Sequence, residues 1–140
     1  MKKLLLIFLT VVAVPVFTAR AHAQVLVIVN PGVKSTDVAK SDLRDVFLGS
    51  SSSLKDGAHV TPVLLKAGTT EDLFLAEYVG KSDSAFRASW RSLVFSGQAT
   101  MPKSLDSEAA VVEYIAHNAG TIAYISKGTP HDGVKVLAVK

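Results

Sequence analysis

Four residues in the stretch PVLLKAGTTEDLF, Pro62 to Phe74, could together hold an anion: Lys66, Gly68, Thr69 and Thr70. An apolar run breaks at the glycine, and a run with helical spacing starts at the threonines. A strand, a tight turn and a helix start in that order present unpaired backbone N–H groups and the positive end of a helix dipole. The threonine hydroxyls and turn amides would donate to the oxygens of a small oxyanion, and Lys66 would add charge. The same residues also have a structural reading. With Thr69 as N-cap, Glu71 and Asp72 fall in the first helical turn, and Thr69-x-x-Asp72 resembles a capping box. Those carboxylates would complement the dipole and repel an anion, which favours the cap, and on the residues alone both readings stay open.

Other chemistry is sparse. The sequence has no nucleophile elbow, no phosphate loop ending in Gly-Lys-Ser/Thr and no dinucleotide fingerprint, so no enzyme class and no cofactor is indicated. It has no cysteine, hence no disulfide framework and no thiol chemistry. His59, His117 and His131 lack a second histidine at metal-ligand spacing. His131 lies in the turn-like TPHDG, and His117 suits a helix C-terminus. Arg87 and Arg91, four apart, read as a solvated basic face, and the Ser50–Ser53 run reads as a loop.

The segment that must be set aside first is residues 1–23. Lys2 and Lys3, an apolar stretch from Leu4 to Phe17 broken by Pro15, and Ala21-His22-Ala23 form the pattern of a cleaved export signal. The apolar stretch falls short of the about 20 residues a membrane span needs. Residues 24–140 are then expected to form one periplasmic domain, with secretion as the alternative and no membrane anchor after cleavage. Without Lys2, Lys3 and Arg20 the basic residues fall from 15 to 12, equal to the 12 acidic ones. The apparent basicity belongs to the signal, and a nucleic-acid partner loses its support.

The elements that would position the turn follow from periodicity. Val25–Val29 reads as a buried strand. A short helix over about 42–48 has Ser41 as its N-cap, buries Leu43, Val46 and Phe47, and stops at Gly49. Lys55-Asp56-Gly57 marks a turn, with a small hairpin leading into a strand at Val60–Leu65. The helix after Gly68 carries Phe74 and Tyr78 on one face and ends at Gly80. Ser82 caps a helix with Phe86, Trp90, Leu93 and Val94 on its apolar side. Residues 96–107 read as a polar connection, and Asp106 or Ser107 caps a helix with Val111, Tyr114 and Ile115 that Gly120 stops. TIAYIS and VKVLAV read as two strands separated by a turn-rich loop. The expected fold is α/β: a layered sheet with parallel strand pairs flanked by helices.

SDLRDVFLGSSSSLKDG, PVLLKAGTTEDLF, and GTIAYIS with the later VKVLAV together resemble, in that order, the PstS-like phosphate-binding type 2 periplasmic solute-binding proteins. The resemblance runs from Val25 to Val139. It implies the fold of one domain of such a protein, and phosphate or a related oxyanion as the ligand of Lys66, Gly68, Thr69 and Thr70. Relatives close two domains on the anion, whereas residues 24–140 match one, so a homodimer mate or a protein partner would complete the missing half-cleft. Where relatives carry Ser-Gly-Thr after an arginine and an aspartate, this chain has Ala67-Gly68-Thr69 after Val63-Leu64-Leu65-Lys66. Micromolar affinity requires about 8 kcal/mol, and a helix N-terminus supplies roughly 0.3 to 2. Weak recognition is therefore expected, with a non-transport adaptor or sensor module in a periplasmic assembly as the alternative.

Overall fold

The computed structural model describes residues 25–140; the expected export signal lies outside them. The central strand is β1 (Val25–Val29), a run of valine, leucine and isoleucine buried on both faces. It pairs antiparallel with β6 (Thr121–Ser126), Val27 opposite Tyr124, and antiparallel with β7 (Lys135–Val139), Val27 opposite Leu137. The short strands β2 (Asp37–Val38) and β3 (Thr61–Pro62) close the edges, giving the order β2-β7-β1-β6-β3. A separate parallel pair joins β4 (Leu64–Leu65) to β5 (Ser104–Leu105). The expected parallel pairs are present at β2/β7, β3/β6 and β4/β5. Around β1 the pairing is antiparallel, because β6 and β7 flank it and residues 127–134 lead back along its length. That crossover packs toward the last turn of the helix over Glu108–His117, where a Cβ on Gly133 would meet the Ala116 Cβ at 3.6 Å.

The expected strand at Val60–Leu65 is split. Pro62 has no N–H to donate, and the last link to β6 is Val63 N–H to the Ile122 carbonyl at 2.8 Å. From there Leu64 donates to Lys103 and Lys66 to Leu105, at 2.8 and 2.9 Å, so the chain changes sheet at Val63. Its partner β5 lies within the stretch read as a polar connection.

Helix α1 (Lys40–Phe47) buries Leu43, Val46 and Phe47 as expected. Its N-cap is Ala39 rather than Ser41: the Lys40 N–H is satisfied by the Lys140 carbonyl at 3.1 Å, which draws Ser41 into the first turn. The small hairpin is present as a bridge between Ser53 and His59. Helix α2 (Thr69–Phe74) runs on into a π-helical turn, Leu75–Val79, that ends at Gly80 in the left-handed region. Helix α3 (Asp83–Phe95) is capped by Ser82, whose hydroxyl accepts from Ala85 N–H at 3.3 Å. Helix α4 (Glu108–His117) is capped in the same way by Ser107, at 3.1 Å from Ala110 N. Phe86 and Trp90 are buried, but Val94 lies outside the core and Phe95 is 96% exposed.

The core is centred on an aromatic group. Phe74 stacks on Tyr124 with ring centroids 4.0 Å apart, and Phe47 meets Phe74 edge-on at 4.8 Å. The Trp90 indole N–H donates to the Phe47 carbonyl at 2.9 Å and closes the C-terminus of α1. This packing leaves no room at Gly49, which has φ of +76° and where a Cβ would fall 2.8 Å from Leu93 Cδ1 and 2.9 Å from Trp90 Cη2. A Gly49→Ala variant therefore meets left-handed strain and overpacking together, and should lose roughly 2 kcal/mol or more of stability, read as a lowered urea midpoint with an unchanged slope.

Candidate functional site

Lys66, Gly68, Thr69 and Thr70 share one shallow depression of about 370 Å³, whose opposite wall is Asp106, Ser107 and Glu108. The parallel pair β4/β5 builds it, since Lys66 follows β4 and Asp106 follows β5, each strand leading into the start of a helix. Lys66 Nζ lies 2.5 Å from Asp106 Oδ1, both side chains well exposed. Thr70 Oγ1 donates to Glu108 Oε2 at 3.4 Å. The chain's own carboxylates thus face the side chains expected to receive an anion.

The capping-box reading is corrected. Gly68, not Thr69, is the N-cap of α2: it is extended, and its carbonyl already accepts from Asp72 N–H at 3.0 Å. Thr69 is the first helical residue, exposed, and no side chain caps the helix. An extended Gly68 backbone needs no glycine, and a Cβ there would meet nothing closer than the Lys66 carbonyl at 3.9 Å.

Glu71, expected in the first helical turn to complement the dipole, is 0% exposed. Its Oε1 accepts from Arg87 Nη2 at 2.9 Å, and its Oε2 has no partner among the described residues. Arg87 is likewise not part of a free basic face. It also donates to Asp83 at 2.7 Å and to the Leu65 carbonyl at 3.4 Å, so one guanidinium joins the end of β4 to the first turns of α2 and α3. Arg91 stays exposed. The Leu65 peptide is fixed from the other side by Tyr124, whose hydroxyl accepts from Leu65 N–H at 3.2 Å and lies 3.5 Å from the Leu65 carbonyl. Burial holds that phenol well above its ordinary value, so it stays protonated. Glu71 was open to detection in the sequence, because it shares a helical face with Phe74 and Tyr78 at offsets of three and seven.

Sequence reasoning also missed Glu108. Its Oε1 accepts from Ser126 N–H and, at 3.1 Å, from Thr129 Oγ1, which binds the end of β6 and the start of the crossover to α4. A carboxylate in the first turn of a capped helix looks ordinary in a sequence, and only the fold brings Ser126 and Thr129 to it. His59, His117 and His131 do not line the depression, though His131 Nδ1 lies 2.9 Å from the Thr129 carbonyl behind Glu108, and among the described residues no three His, Cys, Asp or Glu side chains group to hold a metal ion.

With this geometry in view, the class of fold is clear: the chain has the α/β architecture of one domain of a PstS-like periplasmic binding protein. Among solved structures it is similar over 83% of its length to a protein from Clostridium perfringens assigned as a phosphate ABC transporter substrate-binding protein with bound phosphate, at 17% identity and a TM-score of 0.63. It is similar over 83% to an ABC-type phosphate transport receptor from Vibrio cholerae, at 15% identity and 0.56, and over 84% to PstS from Borrelia burgdorferi, at 16% and 0.54. The chain spans 44%, 46% and 47% of those three chains respectively, less than half of each. No protein-family model matches the chain, and no curated protein matches it.

The buried carboxyl makes a pH prediction. Burial pushes Glu71 up to about 7 from an ordinary 4.5, Asp83 pushes the same way, and Arg87 pulls it partly back. The folded state therefore binds this proton more tightly than the unfolded chain. Its contribution is fully present below about pH 4.5 and is lost as pH rises to about 7, on the order of 3 kcal/mol in all. Urea titrations from pH 4.5 to 8 should show the wild type losing stability relative to Glu71→Gln; parallel profiles would refute the assignment.

Proposed function

We propose that residues 24–140 form an exported solute-binding-type domain that recognises a small oxyanion weakly at the Lys66–Thr70 turn, with phosphate as its first candidate ligand. The observation that carries this reading is the uncapped first turn of α2 opening into a depression rimmed by Lys66 and Thr70, in a fold shared with proteins described as binding or transporting phosphate. The role is binding rather than catalysis, in keeping with the descriptions of those neighbours. Export is supported by the signal pattern in residues 1–23, and no helix among the described residues is long and apolar enough to cross a membrane.

Affinity is limited by what the turn must give up. Lys66 brings its charge already paired to Asp106, and the Thr70 hydroxyl is shared with Glu108. An exposed ion pair is worth at most about 1 kcal/mol, and millimolar binding needs about 4. A second surface, from a homodimer mate or a protein partner, would raise affinity by closing the site.

A second reading, a non-transport adaptor or sensor module, is favoured by the apolar outcrop at the end of α3, where Phe95 stands in solvent beside half-exposed Val94. Titrating the exported chain with phosphate and sulfate by NMR separates the two. The oxyanion reading expects millimolar responses at the Thr69, Thr70 and Ser107 amides, weakened severalfold in Thr70→Ala. No response at tens of millimolar rejects it in favour of the adaptor. Mass spectrometry of the exported chain should give an N-terminus at Gln24, and an intact Met1 would refute the signal assignment.

A further inference from the structure

The Glu108 carboxylate is held as a bound anion would be. Its Oε1 receives the Ser126 N–H and the Thr129 hydroxyl, and its Oε2 receives the Thr70 hydroxyl. These donors come from the end of β6, the β6–β7 crossover and the first turn of α2, and the Ser126 and Thr129 hydroxyls are themselves 3.0 Å apart. One amide and two hydroxyls converging on a pair of carboxylate oxygens is the donor chemistry that serves a phosphate or sulfate.

We propose that Ser126 N–H, Thr129 Oγ1 and Thr70 Oγ1 form the inner donor set of the oxyanion site, and that Glu108 is a built-in competitor that must leave them before an anion binds. This inference rests on the reading of the Lys66–Thr70 depression as an oxyanion site. Three features allow the exchange. The backbone at Glu108 is fixed independently by the Ser107 cap, so the side chain can rotate outward without unwinding α4. Glu108 lines the depression and is only part-buried, so its outward path is open to solvent. Asp106, next to the cap on the same strand exit, faces Lys66, so an entering anion exchanges one carboxylate for another at the rim as well. The competitor sets a threshold: ligands with more charge-assisted acceptors than a carboxylate displace it, and singly charged carboxylates do not.

The test is calorimetric and NMR titration of wild type, Glu108→Gln and Glu108→Ala with inorganic phosphate, inorganic sulfate and acetate. Glu108→Gln keeps an acceptor on the crossover and guards against simple unfolding, with circular dichroism as the check. Each donor regained should tighten phosphate binding roughly tenfold, so both variants are expected to bind phosphate and sulfate at least about tenfold tighter than wild type. Glu113→Gln, the same charge change on an exposed part of α4, should not. Adding Thr129→Val to Glu108→Gln should cancel the gain. If wild type binds and the Glu108 variants bind no tighter, or if Glu113→Gln gains equally, the competitor role is overturned while the oxyanion site stands. If neither wild type nor variants respond at tens of millimolar, both are overturned.

Discussion

The Arg87 guanidinium is the interaction on which the rest of this site depends. A carboxylate as deeply buried as Glu71 is costly without a partner, and Arg87 supplies one while also bonding Asp83 and the Leu65 carbonyl. The Lys66–Thr70 turn is therefore held at both ends by a single cation, Leu65 before it and Glu71 after it. Tyr124 adds a second hold on Leu65 through its phenol, and the Phe74–Tyr124 stack places that phenol. A buried polar network of this kind rigidifies when its members are satisfied. Among the described residues the network's unsatisfied atom is Glu71 Oε2, where a proton relieves it.

What was legible in the sequence was governed by short range. Ser82 and Ser107 could be read as caps because a small acceptor before an apolar helical run acts within three residues. Val25–Val29 follows from an unbroken apolar run and the buried face of α1 from periodicity, while in α4 Val111 and Ile115 are buried as expected but Val112 takes the core place expected of Tyr114, which is only partly buried. Ser41 misleads, because a backbone carbonyl 100 residues away, that of Lys140, does the work a side chain was expected to do. The split of Val60–Leu65 is equally non-local: the run is uniformly apolar, and only its two partners, β6 and β5, divide it. Thr69 loses its cap to Gly68 for want of one residue of register, a margin that composition does not set. The turn residues themselves were found together, while of the acids that oppose them Asp106 lay at the end of a stretch read as a plain connection and Glu108 in the first turn of a helix, where a carboxylate looks ordinary.

Electrostatics here is mostly internal. Lys66 meets Asp106, Arg87 meets Asp83 and Glu71, and Lys140 meets Asp37. Residues 24–140 carry equal numbers of acids and bases, 12 of each, so no net charge favours an anion over a cation. The proposed recognition would then rest on a few directed donors at contact distance. Sharing a fold with phosphate-binding proteins does not by itself transfer their ligand, which is why the functional reading is argued from the uncapped turn and its depression.

The parallel pairing of β4 with β5 fixes one more property of the depression. Its two walls are the direct continuations of two neighbouring strands, Lys66 onward on one side and Asp106 onward on the other. Parallel neighbours lie about 4.8 Å apart, and the rungs from Leu64 to Lys103 and from Lys66 to Leu105 stand at the threshold of the turn. The gauge of the cleft at its base is thus that of a β-ladder. It cannot widen to admit a bulkier guest without breaking main-chain rungs, however the side chains at its rim are exchanged.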